Sequence, residues 1–467
     1  MKNNVTKYVI IIILAGVLIN AAGFILFGTL GGWQEKNFVD SDAADYYLLA
    51  KNILTGHGFS LADGAPYLPS RFRVPGYPLF VAGILAACGN VFAVLALQNI
   101  LAVINALILF FLLKELFKKE LSACILSILF LLDPLIFRYQ SGLMTETPLI
   151  FFLLLAVYFF VKYLSSARLK YIGIAAIFLG CATLTKPINQ WLPILFAAAI
   201  IYLGIRHNAS RKAVLAVLIL FIAFFSVLSP WLVRNKIQFG NAHISSNDWY
   251  NIYYVNAAYA QAVSEGKNWM RVKGEMIAER APLSYSREID YFGGVPISSE
   301  LVGRAMSIFI SHSSAVLKMG AVGVARFFVD EGGQDFGYAL SPNSIQTVGL
   351  GTLVSRGEYI KAVSELFNRR PVVLIPMIFF KSLWLFFWFF ILYGLWRAVQ
   401  EKDARLKLVV FFSLIVIFYF AVLSAPNTEA RTRMPAIPFF FLLIGYGFSK
   451  WLDRKNNIIS ATNIGDK

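Results

Sequence analysis

Charge is what this sequence has least of. Only 15% of its 467 residues are Asp, Glu, Lys or Arg, while 58% are hydrophobic and 15% aromatic. Soluble globular chains run at about 25% charged and roughly 45–50% apolar, so a water-soluble fold is excluded. Cysteine is scarce as well. Cys88, Cys124 and Cys181 all lie in apolar stretches, and three scattered thiols give neither a disulfide framework nor metal-ligand spacing. They read as small core residues. His57, His207, His243 and His312 are equally scattered and form no metal set. Acid is the scarcer sign of charge, with 26 Asp and Glu to 42 Lys and Arg, a formal net charge of +16. Such an excess can mark a nucleic-acid partner. Here the bases stand in short clusters between apolar runs, as cytoplasmic loops do under the positive-inside rule. Nucleic acid is therefore set aside, and anionic lipid head groups are the natural partners of those flanks.

Long apolar runs are what the chain has in quantity. Ten of them fit as membrane spans: Tyr8–Leu30, Val91–Leu113, Leu121–Tyr139, Pro148–Leu164, Tyr171–Thr185, Pro187–Ile205, Ala213–Val233, Val372–Trp396, Leu406–Ser424 and Pro435–Trp451. The first would reach roughly 34 Å at about 1.5 Å per residue, too long for the apolar core of a signal peptide. It is expected to stay as an anchor that starts in the cytoplasm. With ten spans, Lys2/Lys7, Lys114/Lys118/Lys119, Lys162/Arg168/Lys170, Arg206/Arg211/Lys212, Arg397/Lys402/Arg405/Lys407 and Arg454/Lys455 all fall on one side. That side is read as the cytoplasm, holding both termini. Pro75–Gly89 is apolar but short of the roughly 20 residues a span needs. Crossing there would flip every later loop, so it reads as a re-entrant or interfacial helix. The expected organisation is an N-terminal transmembrane module (1–233) with a first outer loop at 31–73, an extracytoplasmic region (234–370) and C-terminal spans with a cytoplasmic tail (371–467). Ser299–Phe328 has helical periodicity, and no internal repeat is visible.

Ionisable residues at membrane depth are functional candidates by default. Asp133, Arg138, Glu146, Lys186, Arg234 and the Arg431/Arg433 pair lie at or near outer span ends, and only Lys381 sits well inside a span. A carrier would more often place charge near the midplane. The most informative stretch follows the first span: DSDAADYYLLAKNILTGHGFSLADGAPYLPSRFRVPGYPLF, from Asp40 to Phe80. It is acid-bearing and rich in Gly and Pro, and it sets acid/base groups at the membrane surface, where chemistry on a lipid-linked substrate would occur. Each residue also has a plainer reading. Asp42 and Asp45 can be solvated loop acids or helix caps, with Ser41 or Asp42 capping the Tyr46–Ala50 run. Arg73 can be an interfacial anchor, Glu146 a first-turn acid, Arg431 and Arg433 snorkelling cations, and Asp133-Pro134 a kink.

Three segments carry a resemblance: Asp42-Ala43-Ala44-Asp45-Tyr46, Ala50–Phe59 and Arg73-Val74-Pro75-Gly76-Tyr77-Pro78-Leu79. It continues in Met144-Thr145-Glu146-Thr147-Pro148-Leu149, Thr185-Lys186-Pro187, Pro230–Asn235 and Arg431-Thr432-Arg433-Met434-Pro435. Together they resemble the GT-C membrane glycosyltransferases, more closely the branch of protein O-mannosyltransferases and lipid A aminoarabinose transferases. The likeness covers most of residues 1–240 and the last span, and it is weak over Asn241–Arg370. It implies an all-α polytopic membrane protein, a GT-C-like helical bundle of about ten spans with interfacial helices in the first outer loop and a small extracytoplasmic lobe. It also implies a plasma (inner) membrane enzyme that takes a sugar from a polyprenyl-phosphate donor and passes it to a glycolipid, polysaccharide or protein acceptor with inversion. Asp42 matches the family's acid at the reacting centre, with Asp45 or Asp40 as substitutes. Parts of the family carry an Asp-Glu pair there; this chain has Ala43 after Asp42.

The chemistry suits these residue types. An alcohol attacks once a base takes its proton, and a positioned carboxylate typically contributes about 10²–10⁴-fold. Asp42 is the expected general base, with Asp45 and Glu146 beside it as catalytic candidates. Cations stabilise the departing phosphate, and an Arg fork matches it bidentately. Arg73, Lys186, Arg234, Arg431 and Arg433 are the expected substrate-binding cations, with Tyr77 from the same motif as Arg73. No metal and no other cofactor is expected, because too few acidic ligands assemble. The rival reading is a lipid or glycolipid flippase, which inverted repeats and midplane charges would mark.

Overall fold

The computed structural model describes residues 2–31, 42–279, 297–333, 358–361, 364, 371–425 and 429–465, and among them there is no strand. Asp40 and Ser41 lie outside the described residues. Only helices satisfy every backbone group within one open segment in lipid, and the Leu-, Ile-, Phe- and Ala-rich runs have become helices throughout. Among the described residues eight are long and apolar enough to cross a membrane, beginning at Asn4, Val91, Glu146, Pro187, Ser210, Leu374, Ala404 and Ala430. The chain is a multi-pass membrane protein. Its apolar side chains point outward as well as inward: Leu18, Ile222 and Leu385 are 72%, 70% and 65% exposed. Faces of that kind suit acyl chains rather than water.

Two of the ten expected spans are helices of 12 and 17 residues, below the length of a full crossing, and a proline follows each. The run from Leu121 stops at Leu131, because Asp133 caps a separate helix, Pro134–Tyr139. Its carboxylate accepts from the amides of Leu135 and Ile136 at 3.0 and 3.3 Å. The next helix, Leu169–Thr185, ends where Lys186 turns extended before Pro187, the conformation a following proline imposes. Pro75–Gly89 forms a short helix, Gly76–Cys88, closed by Gly89 at φ 73°. The Ser299–Phe328 periodicity resolves into two helices, Ile297–Ser311 and Ser313–Val329, which bend by 96° between them.

The basic loops converge at one end of the bundle. Lys114 pairs with Glu120 at 3.0 Å, Lys162 with Glu115 at 3.2 Å, Lys119 with Asp453 at 2.6 Å and Lys450 with Glu401 at 2.7 Å. Arg405 reaches Ser165 at 2.6 Å. Loops far apart in sequence therefore share one face, as their charge pattern predicts. Between the ends lies a core in which Phe160, Phe196 and Phe412 stack with ring centroids 4.5–5.3 Å apart. A second, smaller core holds Tyr253, Tyr254, Val272, Met276, Leu301 and Ala305. It makes a helical lobe from residues 247–278 and 297–311.

A buried chain of amides ties the other end together. Tyr77 donates to Gln98 at 2.6 Å, and Gln98 donates to the carbonyls of Gln140 and Gly142 at 3.2 and 2.7 Å. Gln140 donates to Asn20 at 2.9 Å, and Asn20 to the Asn99 carbonyl at 2.7 Å. Buried polar groups are costly unless paired, so this network holds one arrangement of the first helix, the Val91–Phe117 helix and the segment before Glu146. Gly76 adds a close backbone contact: a Cβ there would lie 2.5 Å from the carbonyl oxygen of Leu184. That contact sets the Arg73 loop against the end of the Leu169–Thr185 helix. Gly76→Val should overpack it, costing about 1–3 kcal/mol. A lower thermal midpoint of detergent-purified protein is the expected result, and an unchanged midpoint would mean the two segments do not touch.

Candidate active site

The acids of the first outer loop begin a helix, Asp42–Leu54, with Asp42 and Asp45 in its first turn. Negative charge is favoured there by the helix dipole. Both side chains face Arg73, which follows the loop and precedes the Gly76–Cys88 helix. Arg73 Nη2 lies 2.5 Å from Asp42 Oδ1 and 2.8 Å from Asp45 Oδ2, and its Nε donates to the same Asp45 oxygen at 3.1 Å. The second Asp42 oxygen accepts from Arg431 Nη2 at 2.8 Å. Residues 389 positions apart thus meet on one carboxylate.

Glu146 completes the cluster. It opens the Glu146–Ser166 helix and is 1% exposed. Its Oε1 accepts from Lys186 at 2.9 Å and lies 3.8 Å from Arg431 Nε. Thr145 donates to its other oxygen at 3.1 Å. Lys186 is placed by the extended residue before Pro187, and Asn189 donates to its carbonyl at 2.9 Å. These groups line a cavity of about 930 Å³. Asp42 is neither a solvated loop acid nor a lone cap. Burial pushes its carboxyl up, but the guanidiniums of Arg73 and Arg431 outweigh burial and hold it well below the usual carboxylate range. Burial likewise raises the neighbouring Tyr46 phenol to about 12, which keeps it neutral.

The far ends of the same helices locate the cavity. The Glu146 helix runs to Ser165, which meets Arg405, and the helix after Arg431 carries Lys450 and Asp453. The cavity and the basic loops therefore occupy opposite ends of the bundle.

Three expected site residues are not among those lining the cavity. Tyr77 is fully buried behind it, bonded to Gln98 and edge-on to Tyr46 at 4.9 Å. Arg234 clamps the first outer loop instead, donating to the Ser70 carbonyl at 2.7 Å over the Trp231 ring. Arg433 is 1% exposed, with its guanidinium 4.0 Å from the Trp384 ring centroid. Trp384 in turn donates to Asp133 at 3.1 Å. Lys381, the one deep cation, pairs with Glu331 and donates to the Val329 carbonyl at 2.7 Å. The residues that motif reading missed are Asp248, Trp249 and Tyr250, which line the same cavity, and Gln190 beside Asp248. They stand in a polar stretch without a motif; an acid flanked by aromatics was its only signal.

Residues 73–231 match the family model for dolichyl-phosphate-mannose-protein mannosyltransferase. No curated protein matches the chain by sequence. Among solved structures, the archaeal oligosaccharyltransferase AglB from Archaeoglobus fulgidus, in complex with an inhibitory peptide and a dolichol-phosphate, superimposes with a TM-score of 0.50 at 13% identity. The match spans 96% of this chain and 52% of that one. The chain has the GT-C fold. An apo structure of the Archaeoglobus fulgidus oligosaccharyltransferase matches with TM-score 0.45 at 12% identity over 96% and 52% of the two chains. ArnT from Cupriavidus metallidurans in the apo state matches with TM-score 0.37 at 11% identity over 93% and 76%. The chain spans about half the length of the oligosaccharyltransferase.

Within this GT-C fold the donor set does not fit a divalent metal. Among the described residues no three His, Cys, Asp or Glu side chains gather as ligands. Both Asp42 oxygens already face guanidiniums. The ion pairs have a consequence for stability. A carboxyl depressed in the folded state contributes stability above its unfolded pKa and loses it as pH falls. Wild-type protein should therefore lose thermal stability more steeply than Asp42→Asn below about pH 4. Parallel profiles would show that Arg73 and Arg431 do not act on Asp42.

Proposed function

We propose that this chain is a glycosyltransferase that moves a sugar from a polyprenyl-phosphate donor to a hydroxyl of a lipid, glycan or protein acceptor. It would work on the extracytoplasmic face of the plasma membrane, with both termini cytoplasmic. The observation that carries the reading is the sharing of Asp42 between Arg73 and Arg431 at a large cavity whose edge is apolar. Trp191 and Leu423, 54% and 46% exposed, stand among its lining residues. They offer a lateral path for an isoprenoid tail.

The same geometry supports an order of events. A general base works best with a pKa near the operating pH, and two guanidiniums make the free Asp42 carboxylate a poor proton acceptor. A donor phosphate competes for those guanidiniums, since Arg forks bind phosphate bidentately. As Arg73 and Arg431 turn to the phosphate, Asp42 regains basicity. It then takes the proton of the acceptor hydroxyl. The acceptor oxygen bonds to the anomeric carbon, the bond from that carbon to the phosphate oxygen breaks, and the electron pair leaves on the phosphate. One displacement inverts the centre. Glu146, itself held by Lys186, keeps Arg431 in reach. No observation favours the flippase reading, because the charge cluster sits at one end of the bundle.

The test is direct. Protein in nanodiscs is incubated with a panel of polyprenyl-phosphate sugars and acceptors, and products are read by mass spectrometry. Asp42→Asn should lower transfer by at least about 10²-fold in protein that still inserts, and full activity would remove Asp42 as base. Arg73→Ala and Arg431→Ala should each weaken binding of undecaprenyl phosphate. Unchanged binding would return both to structural roles.

A further inference from the structure

The ion-pair cluster occupies one part of the cavity, and another part of its lining has different chemistry. It comes from residues 248–273. Trp249, Tyr250, Tyr254, Tyr259 and Trp269 bring five aromatic rings to the lining, and Asp248 is the carboxylate of that wall. We propose that this wall is the acceptor subsite and that the acceptor it takes is a carbohydrate, with Trp249 as the stacking face and Asp248 accepting from sugar hydroxyls. The proposal rests on the transferase reading above and names the acceptor class that reading leaves open.

Four observations support it. First, Asp248 makes no ion pair among the described residues. Its neighbour is Gln190, another lining residue, and burial raises its carboxyl. An acid without a cation is available as a hydroxyl acceptor in a way that Asp42 is not. Second, the wall is fixed in place. Ser245 donates to the Phe72 carbonyl at 2.8 Å and Ser246 N–H to the Arg71 carbonyl at 3.1 Å. These bonds zip its base onto the residues just before Arg73, so both substrates would be registered on one backbone. Third, the following turn, Asn251–Ala257, is π-helical, a feature frequent at functional sites. Across it Tyr250 and Tyr254 stand with ring centroids 5.1 Å apart. Fourth, the indole N–H groups of Trp249 and Trp269 are buried with no hydrogen-bond partner among the described residues, so the polar tips of this wall are not used up in packing.

The ring faces decide the class. An aromatic face is negative and its tips are polar. A sugar ring presents a weakly positive C–H face ringed by hydroxyls, which matches both.

The probes are malto-, cello-, manno- and chitotetraose and a Ser/Thr-rich decapeptide, tested on the full chain in nanodiscs by saturation-transfer NMR. At least one tetrasaccharide should bind, and Trp249→Ala should weaken it roughly tenfold while Trp249→Phe restores most of the signal. Asp248→Asn, which keeps the shape, should weaken the same saccharide and covers the case in which the tryptophan variant fails to fold. The subsite is overturned if no tetrasaccharide binds, if binding survives both Trp249→Ala and Asp248→Asn, or if the peptide alone binds. Undecaprenyl phosphate measured on the same sample separates the two levels. If it binds while the saccharides do not, the subsite alone fails. If neither binds, the transferase reading fails with it.

Discussion

One carboxylate held between two guanidiniums organises this protein. Asp42 comes from the first outer loop, Arg73 from the far side of that loop and Arg431 from the start of the last helix. Charges this far from bulk water are stable only when paired and hydrogen-bonded. Asp42, Asp45, Glu146 and Glu429 stand against Arg73, Arg431 and Lys186. In the proposed reaction an incoming phosphate would add further negative charge and be held by drawing cations from the carboxylates, so that donor binding and release of the base would be one event.

The scaffold around the cluster follows from covalent chemistry at a few positions. Pro187 forces Lys186 to be extended, which sends its ammonium back to Glu146 instead of continuing the helix. Gly76 lacks the Cβ that would strike Leu184, so the loop carrying Arg73 can lie against that same turn. The amide chain from Tyr77 through Gln98 and Gln140 to Asn20 then fixes the segment leading to Glu146. Tyr77 supports the cavity from behind, and Arg234 and Arg433 anchor neighbouring parts of the chain. Motif residues here divide into those that meet the cavity and those that hold its walls.

The two walls of the cavity carry acids of opposite character. Asp42 is surrounded by cations and held low, whereas Asp248 is buried without one and held high. In the proposed reaction phosphate chemistry would lie beside the first and hydroxyl recognition beside the second. The ladder of bonds from Ser245 and Ser246 to residues 71 and 72 links them. Ordering one wall therefore orders the other.

Much of this was legible in the amino-acid order. Low charge, long apolar runs and clustered bases determine a multi-pass helical protein and group its loops at one end, because lipid tolerates few alternatives. The Arg-Val-Pro-Gly-Tyr-Pro and Thr-Lys-Pro segments mark the chain turns that carry Arg73 and Lys186, since Pro and Gly act on their own backbone. What periodicity could not settle was which cations reach the cavity. Arg431 and Arg433 stand two residues apart in one motif, yet one bridges Asp42 while the other is buried against Trp384. Their directions depend on a 3₁₀ turn, Ala430–Ala436, and on how distant helices pack around it. Asp248 was silent for the same reason. Its significance comes from lining the same cavity as Asp42, and the meeting of segments some two hundred residues apart is decided only when the chain is folded.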